Sequence, residues 1–217
     1  TFFRKNKYFV TPDKDDTYVY MPLHLIPEST TFVKAPFYID ELHIISQVSK
    51  SLPIGCFLYV KEHQSMLGER SFEFYNKVKQ FPNVKLVEIN YYDDPKPWIE
   101  NALGVITIAG TAAYEAALLG KQSVLFSDVP FSLIKGINRA YSYEELPKLI
   151  SNFGDINNIK SCAAYLATVK SIGSQINLKH LMVESEAILI GKKKKSDEFQ
   201  NQMYEVLKCV KKALTPV

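Results

Sequence analysis

Gly110, Thr111, Ala112 and Glu115 stand in the stretch Ile106-Thr-Ile-Ala-Gly-Thr-Ala-Ala-Tyr-Glu-Ala-Ala-Leu-Leu-Gly120, where an apolar run meets a helix-forming one. A glycine at such a junction lets the backbone turn tightly and lets a ligand approach. Thr111 suits a helix N-cap, or a hydroxyl bond to phosphate. The unpaired N–H groups and the positive end of the helix dipole attract an anion. Glu115 follows Thr111 at i+4, on the same side, where its carboxylate can accept both hydroxyls of a ribose. Spacing alone leaves a second reading open: a capped core helix in which Glu115 only complements the dipole.

Two further stretches carry polar groups out of apolar runs. Tyr59-Val-Lys-Glu-His63 delivers Lys61, Glu62 and His63 to the end of a strand. Lys61 supplies a point charge. His63 can donate a hydrogen bond to a phosphate or act as acid towards a leaving one, and a structural histidine is the competing reading. His24-Leu-Ile-Pro-Glu-Ser-Thr-Thr31 offers Glu28 as a base or a sugar contact and Ser29, Thr30 and Thr31 as hydroxyl donors. An ordinary Pro-Glu turn explains it equally well. His43 and His180 read as structural. Asp93-Asp94 precedes Pro95 and reads as a capping pair rather than a metal pair, so no metal is expected.

These groups need elements that bring them together. Tyr18–Met21, Cys56–Val60, Val84–Ile89, Val105–Ile108 and Ser123–Phe126 read as buried strands. Tyr38–Leu52, Ser71–Gln80, Pro95–Ala102 and Ala112–Leu119 read as the helices between them, the last ending at Gly120. Pro22–Pro36 reads as a loop. The alternation implies a doubly wound α/β domain with a parallel sheet over residues 1–140. Residues 141–217 read as a helical C-terminal extension packing on it, with helices at Tyr143–Asn152, Ile156–Val169 and Ser196–Leu214. In such sheets ligands bind beyond the carboxyl ends of the strands. That rule selects the loops Pro22–Thr31, Glu62–Arg70 and Ala109–Ala113.

Composition narrows the partners. A hydrophobic share of 47% and a charged share of 23% are those of a packed globular chain. A formal net charge of +3 is too small to argue for nucleic acid. The lysine run Lys192–Lys195 reads as a solvated hinge before the last helix, or as a weak contact with an anionic membrane surface at about 1 kcal/mol per lysine. Cys56, Cys162 and Cys209 lie far apart with no metal-ligand spacing, which points to a reducing, cytoplasmic compartment. No signal peptide or transmembrane run is seen, and the opening on Thr1 suggests a piece of a longer protein.

Taken together, Pro22-Leu-His-Leu-Ile-Pro-Glu-Ser-Thr-Thr31, Leu58-Tyr-Val-Lys-Glu-His63 and Ile106-Thr-Ile-Ala-Gly-Thr-Ala-Ala-Tyr-Glu-Ala-Ala-Leu-Leu-Gly-Lys121 resemble the bacterial capsule polysaccharide biosynthesis family, which includes 3-deoxy-manno-octulosonic acid (Kdo) transferases. The resemblance runs from Tyr18 to Asp128. It implies the C-terminal, nucleotide-sugar-binding half of a GT-B glycosyltransferase. The reaction implied is transfer of an acidic sugar from a CMP-activated donor to a surface or capsular glycan, without a metal or other cofactor. His63 and Glu28 would then be catalytic. Lys61, Gly110, Thr111, Ala112, Glu115, Ser29 and Thr30 would hold the donor. A glycan acceptor, and an N-terminal half or partner chain carrying it, are implied as partners. Gln64 stands where the family pattern has Pro, and Ile26 where it has Gln. Two other functions fit the same half-fold: a non-catalytic scaffold or assembly module of a capsule complex, and a nucleotide-sugar 2-epimerase.

Overall fold

The computed structural model describes residues 8–88, 92 and 94–214, without the side chains of Ser29 and Ala213. Strands β1 (Thr17–Pro22), β2 (Cys56–Lys61), β3 (Val84–Val87), β4 (Val105–Thr107), β5 (Ser123–Leu125) and β6 (Ile137–Arg139) form one parallel sheet in the order β3-β2-β1-β4-β5-β6. The chain winds outward from β1 to β3, then crosses back to β4 on the other side of β1. The loops after β1 and β4 therefore diverge at the switch point, where an open α/β sheet leaves a crevice. Pro22 pairs with Lys61 at the end of the β1–β2 ladder, so the loops that follow both strands leave the sheet at one level.

The strands are apolar on both faces because both faces are covered. Val19 and Met21 of β1 pack with Leu58, Val60, Ile106 and Val124 on one side. Tyr18 and Tyr20 pack with Tyr59, Trp98 and Ile99 on the other. Helix α1 is Ser29–Lys34, α2 Glu41–Ser51, α3 Phe72–Val78, α4 Lys96–Glu100 and α5 Ala112–Leu118. Ile44, Ile45 and Val48 give α2 its core face.

Several boundaries differ from the sequence reading. The stretch 22–36 is not all loop, since it holds α1. Helix α2 starts at Glu41 because the Asp40 carboxylate accepts the His43 N–H as its cap; Pro36–Tyr38 is a separate 3-10 turn. Strand β6 is too short to show an alternation of its own, and it is held by pairing with β5. Tyr143–Glu145 forms a 3-10 turn ahead of α6 (Leu146–Ser151). Helix α7 covers Ile159–Ile172, and α8, Leu178–Leu189, is an element the sequence reading lacked. Asn177 caps α8 by accepting the His180 N–H. The last helix, α9, covers Asp197–Leu214. Ile89 and Asp93 lie outside the described residues; Asp94 accepts the Lys96 N–H at the start of α4, a capping contact.

The chain divides into two compact units, 1–165 and 166–217. The division falls inside α7, whereas the change of pattern in the sequence comes after Tyr141. The first unit thus keeps α6, whose Leu146 and Ile150 belong to the main core.

Helix α5 ends in a Schellman turn: the Gly120 N–H donates to Ala117 O at 3.1 Å and the Lys121 N–H to Ala116 O at 2.8 Å. Gly120 has φ 71°, and a Cβ there would lie 3.2 Å from Ile156 O. Gly120→Ala is expected to cost about 1 kcal/mol or more, read as a lower urea midpoint at unchanged slope.

Candidate functional site

A cavity of about 460 Å³ opens at the carboxyl ends of β1, β2 and β4. Glu28 and Thr30 reach it from the β1 loop, and Lys61 and His63 from the end of β2. Gly110, Thr111, Ala112 and Glu115 reach it from the β4 loop and α5. The structure thus brings eight of the nine proposed site residues to one concavity; the side chain of the ninth, Ser29, lies outside the described ones. Thr31 is fully buried and does not line the cavity.

The β4 turn is built differently from the sequence expectation. Thr111 has helical backbone angles and makes no side-chain cap bond. Its hydroxyl donates instead to Glu115 Oε1 at 3.1 Å, so one carboxylate oxygen already has a partner. The Gly110 N–H donates to Thr107 Oγ1 at 3.1 Å and the Ala113 N–H to Gly110 O at 3.4 Å. Among the described residues the N–H groups of Thr111 and Ala112 have no partner. Gly110 does not occupy the left-handed region. It is required by space: a Cβ would lie 2.5 Å from Thr107 Oγ1 and 3.3 Å from His24 Nε2.

His24 is the centre of what lies beneath. It is buried, with Nδ1 3.3 Å from Glu41 Oε1 and Nε2 3.0 Å from Thr107 Oγ1. A proton on Nδ1 satisfies the carboxylate and leaves Nε2 to accept from the Thr107 hydroxyl and, at 3.4 Å, from the Ala109 N–H. The network assigns that tautomer. Arg70 completes it. Its guanidinium pairs with Glu41 at 2.7 Å and with Glu62 at 2.7 Å, and donates to His24 O at 3.1 Å. The Tyr75 hydroxyl donates to Glu62 at 2.8 Å, and so does the His63 N–H, at 2.7 Å. Burial opposes the charge of Arg70, but the Glu41 and Glu62 carboxylates outweigh it, so its pKa is raised. Glu62 is therefore a buried anchor rather than a ligand-facing group. The network ties the loops after β1, β2 and β4 together under the cavity.

The cavity itself carries cationic and donor groups. Lys61 is half-buried, and among the described residues it has no carboxylate partner. Burial lowers its pKa. His63 Nδ1 accepts the Ser65 N–H at 3.2 Å, which leaves Nε2–H as the donor. Tyr20 lies on the cavity wall; burial and the nearby Glu115 carboxylate raise its pKa far above the ordinary value, so its hydroxyl stays protonated.

No protein-family model and no curated protein matches this sequence. Among solved structures, KpsC β-Kdo 2,7 transferase of Thermosulfurimonas dismutans is similar over 74% of this chain and 48% of its own, at 13% identity and a TM-score of 0.50. The fold is that of a Rossmann-like GT-B half. The 2,4 transferase structure of KpsC from the same organism aligns over 74% and 46% of the two chains at 15% identity and TM-score 0.46. The UDP-GlcNAc 2-epimerase of Methanocaldococcus jannaschii aligns over 72% and 46% at 16% identity and TM-score 0.46. The chain spans about half the length of these structures, with 46–48% of each covered.

In this GT-B half, no group of three or more His, Cys, Asp and Glu side chains is arranged to hold a metal among the described residues. The Asp-x-Asp sequence Asp13-Lys14-Asp15 lies before the amino end of β1, and Asp13 Oδ1 accepts the Asp15 N–H there. His43 is held by helix contacts, with its ring against Tyr143. Sequence reasoning passed over His24 as more than the first residue of a motif, and over Glu41, Arg70 and Thr107. One signal was present: Glu41, Ile44, Ile45 and Val48 fall at helical spacing, which puts a carboxylate on the buried face of α2. Its partner 29 positions on gives no such signal.

Proposed function

We propose that this GT-B half binds a nucleotide-activated sugar in the cavity, with a donor phosphate against Lys61 and His63 and the ribose hydroxyls at Glu115. The observation that carries this reading is Lys61: a half-buried ammonium without a carboxylate partner among the described residues, lining with His63 the cavity that opens at the switch point of the sheet. A phosphate there would supply the missing countercharge, and the unpaired N–H groups of Thr111 and Ala112 would add donors. His63 would stabilise charge on the departing phosphate, Glu28 with Ser29 and Thr30 would meet the sugar, and Gly110 would leave room for close approach.

The finer reading is a CMP-linked acidic sugar passed to a bacterial surface or capsular glycan. It rests on the three motifs and their resemblance to the capsule polysaccharide biosynthesis family. The acceptor side would come from a second half or a partner chain. The three cysteines are unpaired, in keeping with a reducing cytoplasmic setting.

Calorimetry of the folded chain with CMP, UDP and GDP tests the proposal. Saturable binding of CMP is expected, weakened about 10-fold or more by either Lys61→Ala or His63→Ala, the loss of one charge-assisted contact. A folded chain that binds no nucleotide would leave the scaffold reading. Conversion of a UDP-sugar to its C2 epimer would assign epimerase chemistry instead.

A further inference from the structure

The second unit contains a surface that the cavity does not use. Helix α8 ends at Leu189, and Gly191, at φ 72°, turns the chain away. The turn is tied down by N–H bonds from Lys192 and Lys193 to Ala187 O at 2.8 and 3.1 Å. Beyond it run Lys192, Lys193, Lys194 and Lys195, all exposed. Directly before it, Leu189 and Ile190 stand 86% and 57% exposed. Two protruding aliphatic side chains and four lysines therefore share one short connection between two helices.

Among the described residues none of these lysines is in an ion pair. The acidic residues flanking them in the chain are Glu184, which feels Lys193, Glu186 on α8, and Asp197 and Glu198 in the first turn of α9, where they complement the helix dipole. The turn itself, residues 189–195, carries four lysines and no acidic residue.

We propose that this turn is a docking surface for an anionic phospholipid bilayer. Lysines provide the attraction to the headgroups, and Leu189 and Ile190 enter the headgroup boundary beneath them. The charge decides between occupants. In a symmetric pair of chains, two lysine runs would face each other and repel. A nucleic-acid backbone would match the lysines but give the aliphatic pair nothing to bury. No described helix is long and apolar enough to cross a membrane, and the contact proposed is at the bilayer surface. It is independent of what the cavity binds.

Co-sedimentation of the full chain with vesicles tests this, using phosphatidylcholine alone and phosphatidylcholine with phosphatidylglycerol. Binding is expected to the anionic vesicles only, falling as salt is raised. Each Lys→Gln change is expected to weaken it roughly 5-fold, and changing Lys192, Lys193, Lys194 and Lys195 to Gln together removes it. Leu189→Ser with Ile190→Ser, lysines intact, is expected to weaken it about 10-fold. All six residues are exposed, and circular dichroism would confirm that the variants fold. The proposal is overturned if the wild-type chain ignores anionic vesicles, or if the four-lysine variant binds as wild type does. Tighter binding to duplex DNA, untouched by the two serine changes, would also overturn it and assign the turn to nucleic acid.

Discussion

Arg70→Ala is expected to lower folding stability by about 3–5 kcal/mol, the largest loss predicted for a single substitution near the cavity. The reason is the pair of carboxylates it would strand. Glu41 and Glu62 are 2% and 1% exposed, and Arg70 lies 2.7 Å from each. Removing the guanidinium leaves two buried negative charges without their shared cation, with a tyrosine hydroxyl, the His24 Nδ1–H and backbone N–H groups as the remaining donors. Urea unfolding monitored by circular dichroism would measure the loss. Arg70→Lys keeps a charge but loses the fork that spans both carboxylates, and its stability should fall between those of wild type and Arg70→Ala. An Arg70→Ala midpoint equal to wild type would mean that the carboxylates are not buried as described.

Gly110→Ala is expected to cost about 1–3 kcal/mol and to weaken the nucleotide binding proposed for the cavity by at least about 10-fold, a loss of about 1.4 kcal/mol. The new methyl would sit 2.5 Å from Thr107 Oγ1, deep inside contact distance, and 3.3 Å from His24 Nε2. Neither neighbour is free to retreat. Thr107 is fully buried on β4, and His24 is held by Glu41 on its other nitrogen. The turn must shift, and it shifts where the Thr111 and Ala112 N–H groups face solvent or ligand. Adding Thr107→Ala makes room for the methyl without restoring the hydrogen bond. The double variant should thus recover part of the stability but not the binding. A Gly110→Ala chain that unfolds and binds as wild type does would contradict this account of the glycine.

The two predictions bear on different levels of one device. Arg70 acts on the loops after β1 and β2, through Glu41, Glu62 and the His24 carbonyl. Gly110 acts on the loop after β4, which His24 joins to the others through Thr107 and the Ala109 N–H. A change at either end should disturb the cavity floor while leaving the sheet intact. Far-ultraviolet circular dichroism of Gly110→Ala should therefore match wild type.

Much of this architecture was legible in local signals. Apolar runs of strand length separated by amphipathic stretches are what a parallel sheet covered on both faces requires, and five of the six strands follow from that pattern. The glycine at the β4–α5 junction, the Lys-Glu-His end of β2 and the Pro-Glu-Ser-Thr stretch after β1 marked the loops that line the cavity. The limits were also local. Strand β6 has three residues and no periodicity of its own. Helix α8 carries exposed apolar residues all along it, among them Leu178, Met182, Val183 and Leu189, so no clean amphipathic stripe announces it.

What the sequence determined by itself was which segments pair and which ends of the strands carry polar groups, because period and turn chemistry are properties of neighbours in the chain. What only the tertiary structure decided was how those groups are used. Gly110 looked like a backbone requirement and is a spatial one, set by a threonine and a histidine 3 and 86 positions away. Glu62 looked like a companion of Lys61 and His63. The chain just past β2 turns it inward, into the pair with Arg70. His24, Glu41 and Thr107 carry no shared signal in the sequence. They meet because the β1–β4 switch brings a strand end, a helix start and a distant strand to one buried point.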